Sequence, residues 1–208
     1  RLLALLDLYA GDFAAAHQRL TALSGLLASA PPAEQVPVVN LLLAEASTAL
    51  GQEEEGWRLR MSVLEATDAG PDVVLRNNAV YEAGVALHRA ELFRAAGWVA
   101  DDLLSRVPAL ESSLRSHVEC EALRLRGRSR YRAGDPERGE QDFAAARAAV
   151  ERLEESAIRE RLLADLAADE ARTVAVTDPA RSAALVTETL EMYDRLGYHY
   201  HSPELYLL

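Results

Sequence analysis

Lysine is absent from this chain of 208 residues: its 22 positive charges are all arginine, set against 33 Asp and Glu for a formal charge of −11. The missing lysine reads as codon usage in a GC-rich genome. The negative balance argues against direct nucleic-acid binding, because a phosphate backbone would meet net repulsion. The single cysteine, Cys120, cannot close an internal disulfide, so packing alone must hold the fold. That suits a reducing cytoplasm. Aromatics make up only 6% of the residues, and alternating β-branched runs are almost missing, which argues against an all-β or α/β architecture. There is no signal peptide and no apolar run near the roughly 18 residues of a membrane span, so no membrane association is expected. An initiator methionine is lacking too: the chain opens in mid-helix with Arg1-Leu2-Leu3-Ala4-Leu5-Leu6, and a further helix begins at 203–208. A fragment of a longer protein is the expectation.

What the chain does contain is Ala, Leu, Glu and Arg, the strong helix formers, in a composition 50% hydrophobic and 26% charged. Within it a short phrase recurs. It reads Gly11-Asp12-Phe13-Ala14-Ala15-Ala16, loosely Gly51-Gln52-Glu53-Glu54-Glu55-Gly56, then Gly134-Asp135-Pro136-Glu137-Arg138-Gly139 and Thr177-Asp178-Pro179-Ala180-Arg181-Ser182. The copies lie 40 residues apart at the start and 43 at the end, and the middle gap of 83 is two such steps. A further copy is therefore expected near residue 93, where Ala95-Ala96-Gly97-Trp98-Val99-Ala100 lies. Gly closes a helix in the left-handed conformation, Asp caps the next one, and Pro suits its first position. The small residue four places after the Asp lets two helices approach. A period of this length between amphipathic segments is that of stacked helical hairpins.

The expected fold is all-α, an α-solenoid of about five antiparallel helix pairs in one continuous domain, 1–208. The repeats would span 1–30, 33–69, 72–107, 110–153 and 156–197, with the third pair divided as 72–95 and 98–107. Leu123, Gly127, Gly134, Asp135, Gly139, Phe143 and Ala146 of the fourth pair, and Ala4, Gly11, Phe13, Ala16 and Leu20 of the first, stand where the tetratricopeptide repeat family places its large, small, turn and aromatic residues. Leu43, Ala44, Gly51 and Gly56 match in the second, and Glu170 or Ala171 with Ser182 in the fifth. The chain resembles that family over nearly its whole length, with longer repeats of about 40 residues.

The resemblance implies a right-handed superhelix and a non-catalytic interaction scaffold that takes a peptide or protein in the groove lined by the first helix of each pair. It is also similar in style to arrays beside a caspase-like CHAT protease or a signal-responsive regulator, where such a segment would be a sensor or autoinhibitory arm binding an anionic ligand or its own effector domain. No cofactor is implied. Phosphate-binding loops, nucleophile elbows and dinucleotide fingerprints are missing. The pair His199 and His201 has no carboxylate or thiol at ligand spacing, and reads as loop. His17, His88 and His117 read as packing residues. Cys120, between Glu119 and Glu121, reads as small core.

One cluster exceeds this background. The helix around 121–132 carries Arg124, Arg126, Arg128, Arg130 and Arg132 in nine residues of an acidic chain. Arg124, Arg128 and Arg132 share one face beside Tyr131. With Arg89, and near Asn77, Asn78 and Glu82, they form the candidate groove for an acidic peptide, while Arg126 and Arg130 point elsewhere. The competing reading is internal pairing with Glu82, Glu91, Asp165 or Asp169. Open solenoid ends would leave Leu2, Leu5, Leu6, Leu205, Leu207 and Leu208 partly exposed or covered by a second molecule, so self-association is expected.

Overall fold

A computed structural model of the chain describes residues 2–29, 35–68, 70, 72–154, 156–199 and 205–207. Among these the regular structure is helical: α1 (Leu2–Tyr9), α2 (Phe13–Ser29), α3 (Val36–Ala49), α4 (Glu53–Thr67), α5 (Val73–Arg89), α6 (Phe93–Arg106), α7 (Ser112–Arg132), α8 (Pro136–Glu151), α9 (Ser156–Val174) and α10 (Pro179–Leu196). A 3-10 turn, Val107–Ala109, follows α6. The chain gathers into two compact units, residues 1–83 and 84–208, divided inside α5 and not at a linker.

The turns follow from the recurring phrase. Gly11, Gly51 and Gly134 take φ of 76°, 77° and 92°. In each, the glycine N–H reaches back three residues and the next N–H reaches back five, as in Gly134 to the Tyr131 carbonyl (3.1 Å) and Asp135 to that of Arg130 (2.9 Å). This double closure satisfies carbonyls the helix leaves open. Asp12, Asp135 and Asp178 then accept from the backbone N–H three residues on. At Thr177 the closure differs: Asp178 N–H bonds the Val174 carbonyl (2.7 Å), four residues back.

The third turn is not where the phrase Ala95–Ala100 put it. Helix α5 ends at Arg89 and α6 starts at Phe93, so Gly97 and Trp98 lie inside α6. The turn is Ala90-Glu91-Leu92, with Glu91 N–H on the His88 carbonyl (3.0 Å) and Leu92 N–H on that of Leu87 (2.9 Å), the same closure as at the glycines. Glu91 has φ 60°, and Leu92 stands at the cap with no side-chain acceptor. The repeat was hidden because neither Gly nor Asp marks it, and Phe93 and the buried Ala96 match Phe13 and Ala16. A side chain in the left-handed region costs about 1–2 kcal/mol, and a missing cap about 1 kcal/mol. Glu91→Gly with Leu92→Asp should therefore raise the melting temperature. Leu92 is 54% exposed, so little packing is lost. A melt followed by circular dichroism checks this, and a lower transition would refute the turn assignment.

In the first unit Val63, Leu75 and Ala79 form an apolar cluster with Val38, Leu41 and Leu64 against it. Beside it Arg60, 1% exposed, donates to Thr48 Oγ1 (2.8 Å) and lies 3.7 Å from Glu82. In the second unit Phe143 and Ala146 of α8 pack with Cys120 and Leu123 of α7 and Leu162 and Leu166 of α9. Burial drives the Cys120 thiol up to about 12, so it stays a protonated core residue.

Close approach needs small residues. A Cβ on Gly139 would stand 2.9 Å from the Gly127 carbonyl oxygen, and one on Gly84 would meet Leu125 and Val99. Ser182 solves the same contact by donating to the Ala171 carbonyl (2.9 Å). Leu2, Leu6 and Leu207 are exposed and Leu5 is half-buried. Leu205 corrects the expectation: it is buried within its own unit against Ala164, Ala168 and Tyr193, because the aromatic end of α10 and the small residues of α9 leave it a seat. Leu208 lies outside the described residues.

Candidate functional site

Helix α7 has no single apolar stripe, and packs against α6, α8 and α9. A helix covered on several sides must satisfy its charges internally, because a buried unpaired guanidinium is costly. Its arginines divide accordingly. Arg126 makes a double contact with Asp142 of α8 (2.7 Å at the shortest) and a 2.8 Å bond to Asp101 of α6, while Arg130 meets Asp142 at 2.9 Å. These are the two expected to point away from the candidate groove.

The other face meets α9. Arg124 Nε and one Nη lie 3.0 and 2.9 Å from Asp169 Oδ2, and its other Nη is 3.5 Å from Asp165. Arg128 donates to Asp169 Oδ1 at 3.2 Å, and Arg172 to the same oxygen at 3.4 Å. The Tyr193 hydroxyl donates to Asp165 (2.8 Å), and burial first, then Asp165, drives the phenol upward. Asp169 thus collects three guanidiniums while only 2% exposed. Arg124 is 4% exposed and committed to these carboxylates, so it does not line an open groove. The i, i+4 spacing of Arg124 and Arg128 on α7 faces the same spacing of Asp165 and Asp169 on α9, a complementarity written in both helices.

The remaining candidates surround a residue the sequence reading assigned to packing. His88 Nδ1 lies 3.1 Å from Ser129 Oγ, and its ring meets Phe93 edge-on at 5.2 Å between centroids. Arg132 is exposed and lies over the Phe93 ring, 5.3 Å from its centroid. Burial lowers the His88 pKa to about 3, with Arg128, Arg132 and Arg89 pushing the same way and Asp169 opposing. The ring is neutral at physiological pH. Arg89 is exposed, and Tyr131 sits beside the Gly139 contact with its hydroxyl 3.3 Å from Thr177 Oγ1. Arg128 keeps Nε and one Nη sealed from solvent without a hydrogen-bond acceptor among the described residues. Asn77, in the first unit, is buried and Asn78 exposed.

Toward the start of α7, His117 bonds Glu121 (3.3 Å), and that bond raises the imidazole pKa against its partial burial. No group of His, Cys, Asp and Glu able to hold a metal occurs among the described residues. His201 lies outside them. No described helix is long and apolar enough to cross a membrane. Protein-family models, curated proteins and solved structures give no match to this chain.

Proposed function

We propose that the chain is a non-catalytic protein-interaction array of tetratricopeptide-like helix pairs, and that the exposed arginines around His88 take an acidic segment of a partner. Recurrent helix closures at Gly11, Gly51, Glu91 and Gly134, each followed by a helix with a small buried residue five places on, support the repeat. The observation that carries the binding reading is the local charge. In a chain of net −11, Arg89, Arg128 and Arg132 all act on the ring of His88, with Asp169, itself shared with Arg124 and Arg172, opposing them. Guanidinium groups capture carboxylates with paired hydrogen bonds. The array would work in the cytoplasm.

The arginines separate by role. Arg89 and Arg132 reach solvent and carry the contact with the partner, whereas Arg124 and Arg128 tie α7 to α9. A fluorescent Glu-rich peptide should bind, and binding should weaken with salt, since exposed charges are screened beyond about 10 Å at 0.1 M. Arg89→Glu with Arg132→Glu should abolish it with the helical content intact. Arg128→Glu, which sets a second carboxylate beside Asp169, should instead lower stability. No binding at low salt, or full binding by the double reversal, would sink the proposal.

A further inference from the structure

We infer that a cleft at the opposite end of α7 binds a small zwitterion with an apolar side chain, of the amino-acid or short-peptide class. The site is separate from the arginines around His88, and the inference stands or falls independently of the proposed function.

The cleft has a volume of about 580 Å³ and is lined from the start of α7, the connection after α8 and the start of α9. That is the size of a small-molecule pocket. Leu153 and Ile158 give it an apolar wall, and both pack against the Phe143 cluster, so the core holds that wall in place. The polar lining on α7 is Ser112, Arg115 and Ser116. Ser116 is only 9% exposed, and its hydroxyl has no hydrogen-bond partner among the described residues. A hydroxyl so far withdrawn from water calls for one. Arg115 is tied through one Nη, which donates to the Pro108 and Leu110 carbonyls (3.3 and 3.0 Å). Those bonds fix the guanidinium and leave its Nε and other Nη without an acceptor among the described residues.

Charge then selects the ligand. Arg115, His117, Arg152 and Glu154 are the ionisable residues of the lining. Two of them are already matched: Arg152 donates to Glu119 at 2.6 Å, and His117 bonds Glu121 at 3.3 Å. Arg115 has no carboxylate and Glu154 no cation among the described residues, and the two are not joined to each other. One uncompensated charge of each sign in a single cleft asks for a guest that carries both. The carboxylate of that guest belongs on the α7 side, where Ser112 and Arg115 stand in the first turn and the helix N-terminus favours an anion. Its ammonium belongs at Glu154, on the connection before α9, and its side chain against Leu153 and Ile158. A simple anion would leave Glu154 opposed, and a simple cation would leave Arg115 opposed.

Proton NMR of the histidine rings in the full chain, titrated with L-leucine to about 10 mM, tests this. His117 lines the cleft, so its ring resonances should move, while those of His88 beside Ser129 should stay. N-acetyl-leucine lacks the ammonium and leucinamide lacks the carboxylate. Each should bind about tenfold more weakly than leucine, the loss of one charge-assisted contact. Glu154→Gln removes an exposed carboxylate that bonds nothing among the described residues, so the fold is kept, and it should erase the preference for leucine over N-acetyl-leucine. Arg115→Gln should erase the preference for leucine over leucinamide. A Leu-Leu dipeptide separates the sources: tighter leucine assigns the site to a free amino acid, a tighter dipeptide assigns it to a short peptide, and both uphold the class. A His117 ring that does not respond to either overturns the inference. So does equal binding of a blocked form by the parent chain, or a preference over N-acetyl-leucine that persists in Glu154→Gln.

Discussion

Replacing Asp169 with alanine should be the most damaging single change in the second unit, lowering its melting temperature by on the order of 10 °C. Removing one member of a buried ion cluster leaves its partners charged and dry, at about 3–5 kcal/mol, and each kcal/mol moves a transition by about 2–4 °C in a chain of this size. Arg124 suffers most, since it is 4% exposed and loses its shortest carboxylate contacts, with Asp165 at 3.5 Å remaining. Arg128 and Arg172 lose the same acceptor. Arg124→Met in the Asp169→Ala background should then cost far less than Arg124→Met alone, because the cation has already lost its main carboxylate. Thermal melts of the four proteins measure the coupling. Strict additivity, or an Asp169→Ala melt equal to that of the parent, would show that the cluster is not what joins α7 to α9.

Gly139→Leu comes next, with an expected loss of about 1–3 kcal/mol from overpacking. The obstacle is backbone: a Cβ at this position stands 2.9 Å from the Gly127 carbonyl oxygen, and Tyr131 closes the other side at 3.2 Å. A flexible neighbour could move away, but a helical carbonyl bonded within α7 cannot. Gly97→Leu is the matched control, since nothing lies within 4 Å of a Cβ there and the position is on the accessible side of α6. Gly139→Leu should melt lower and Gly97→Leu should not. An unchanged transition for Gly139→Leu would refute the pairing of α7 with α8 through these glycines.

Helix positions were legible wherever the chain used Gly, Asp and Pro as punctuation, because those residues act through their own backbone geometry. The boundaries at Gly11, Gly51, Gly134 and Asp178 needed no tertiary information. The turn at Glu91 was not legible, since Glu carries no such preference and only the imposed closure of α5 holds it at φ 60°. The division inside α5 was equally hidden: no linker, glycine or proline marks residues 83 and 84.

The sequence by itself determined the helical class, the period, the caps and the small residues at helix contacts, for each of these depends on neighbours within a few positions. It also determined that five arginines crowd α7. Which of them are committed and which reach solvent was decided only by tertiary structure. Arg124 and Arg132 are the same residue type on one helical face two turns apart, and a periodic rule treats them alike. Their fates differ because Asp165 and Asp169 lie across from the first and Phe93 beneath the second. His88 carried no sign of its surroundings either, since the cations that act on it come from 40 or more residues away as well as next door. Charge acts through space and the chain records only order, so the electrostatics of the cluster had to wait for the fold.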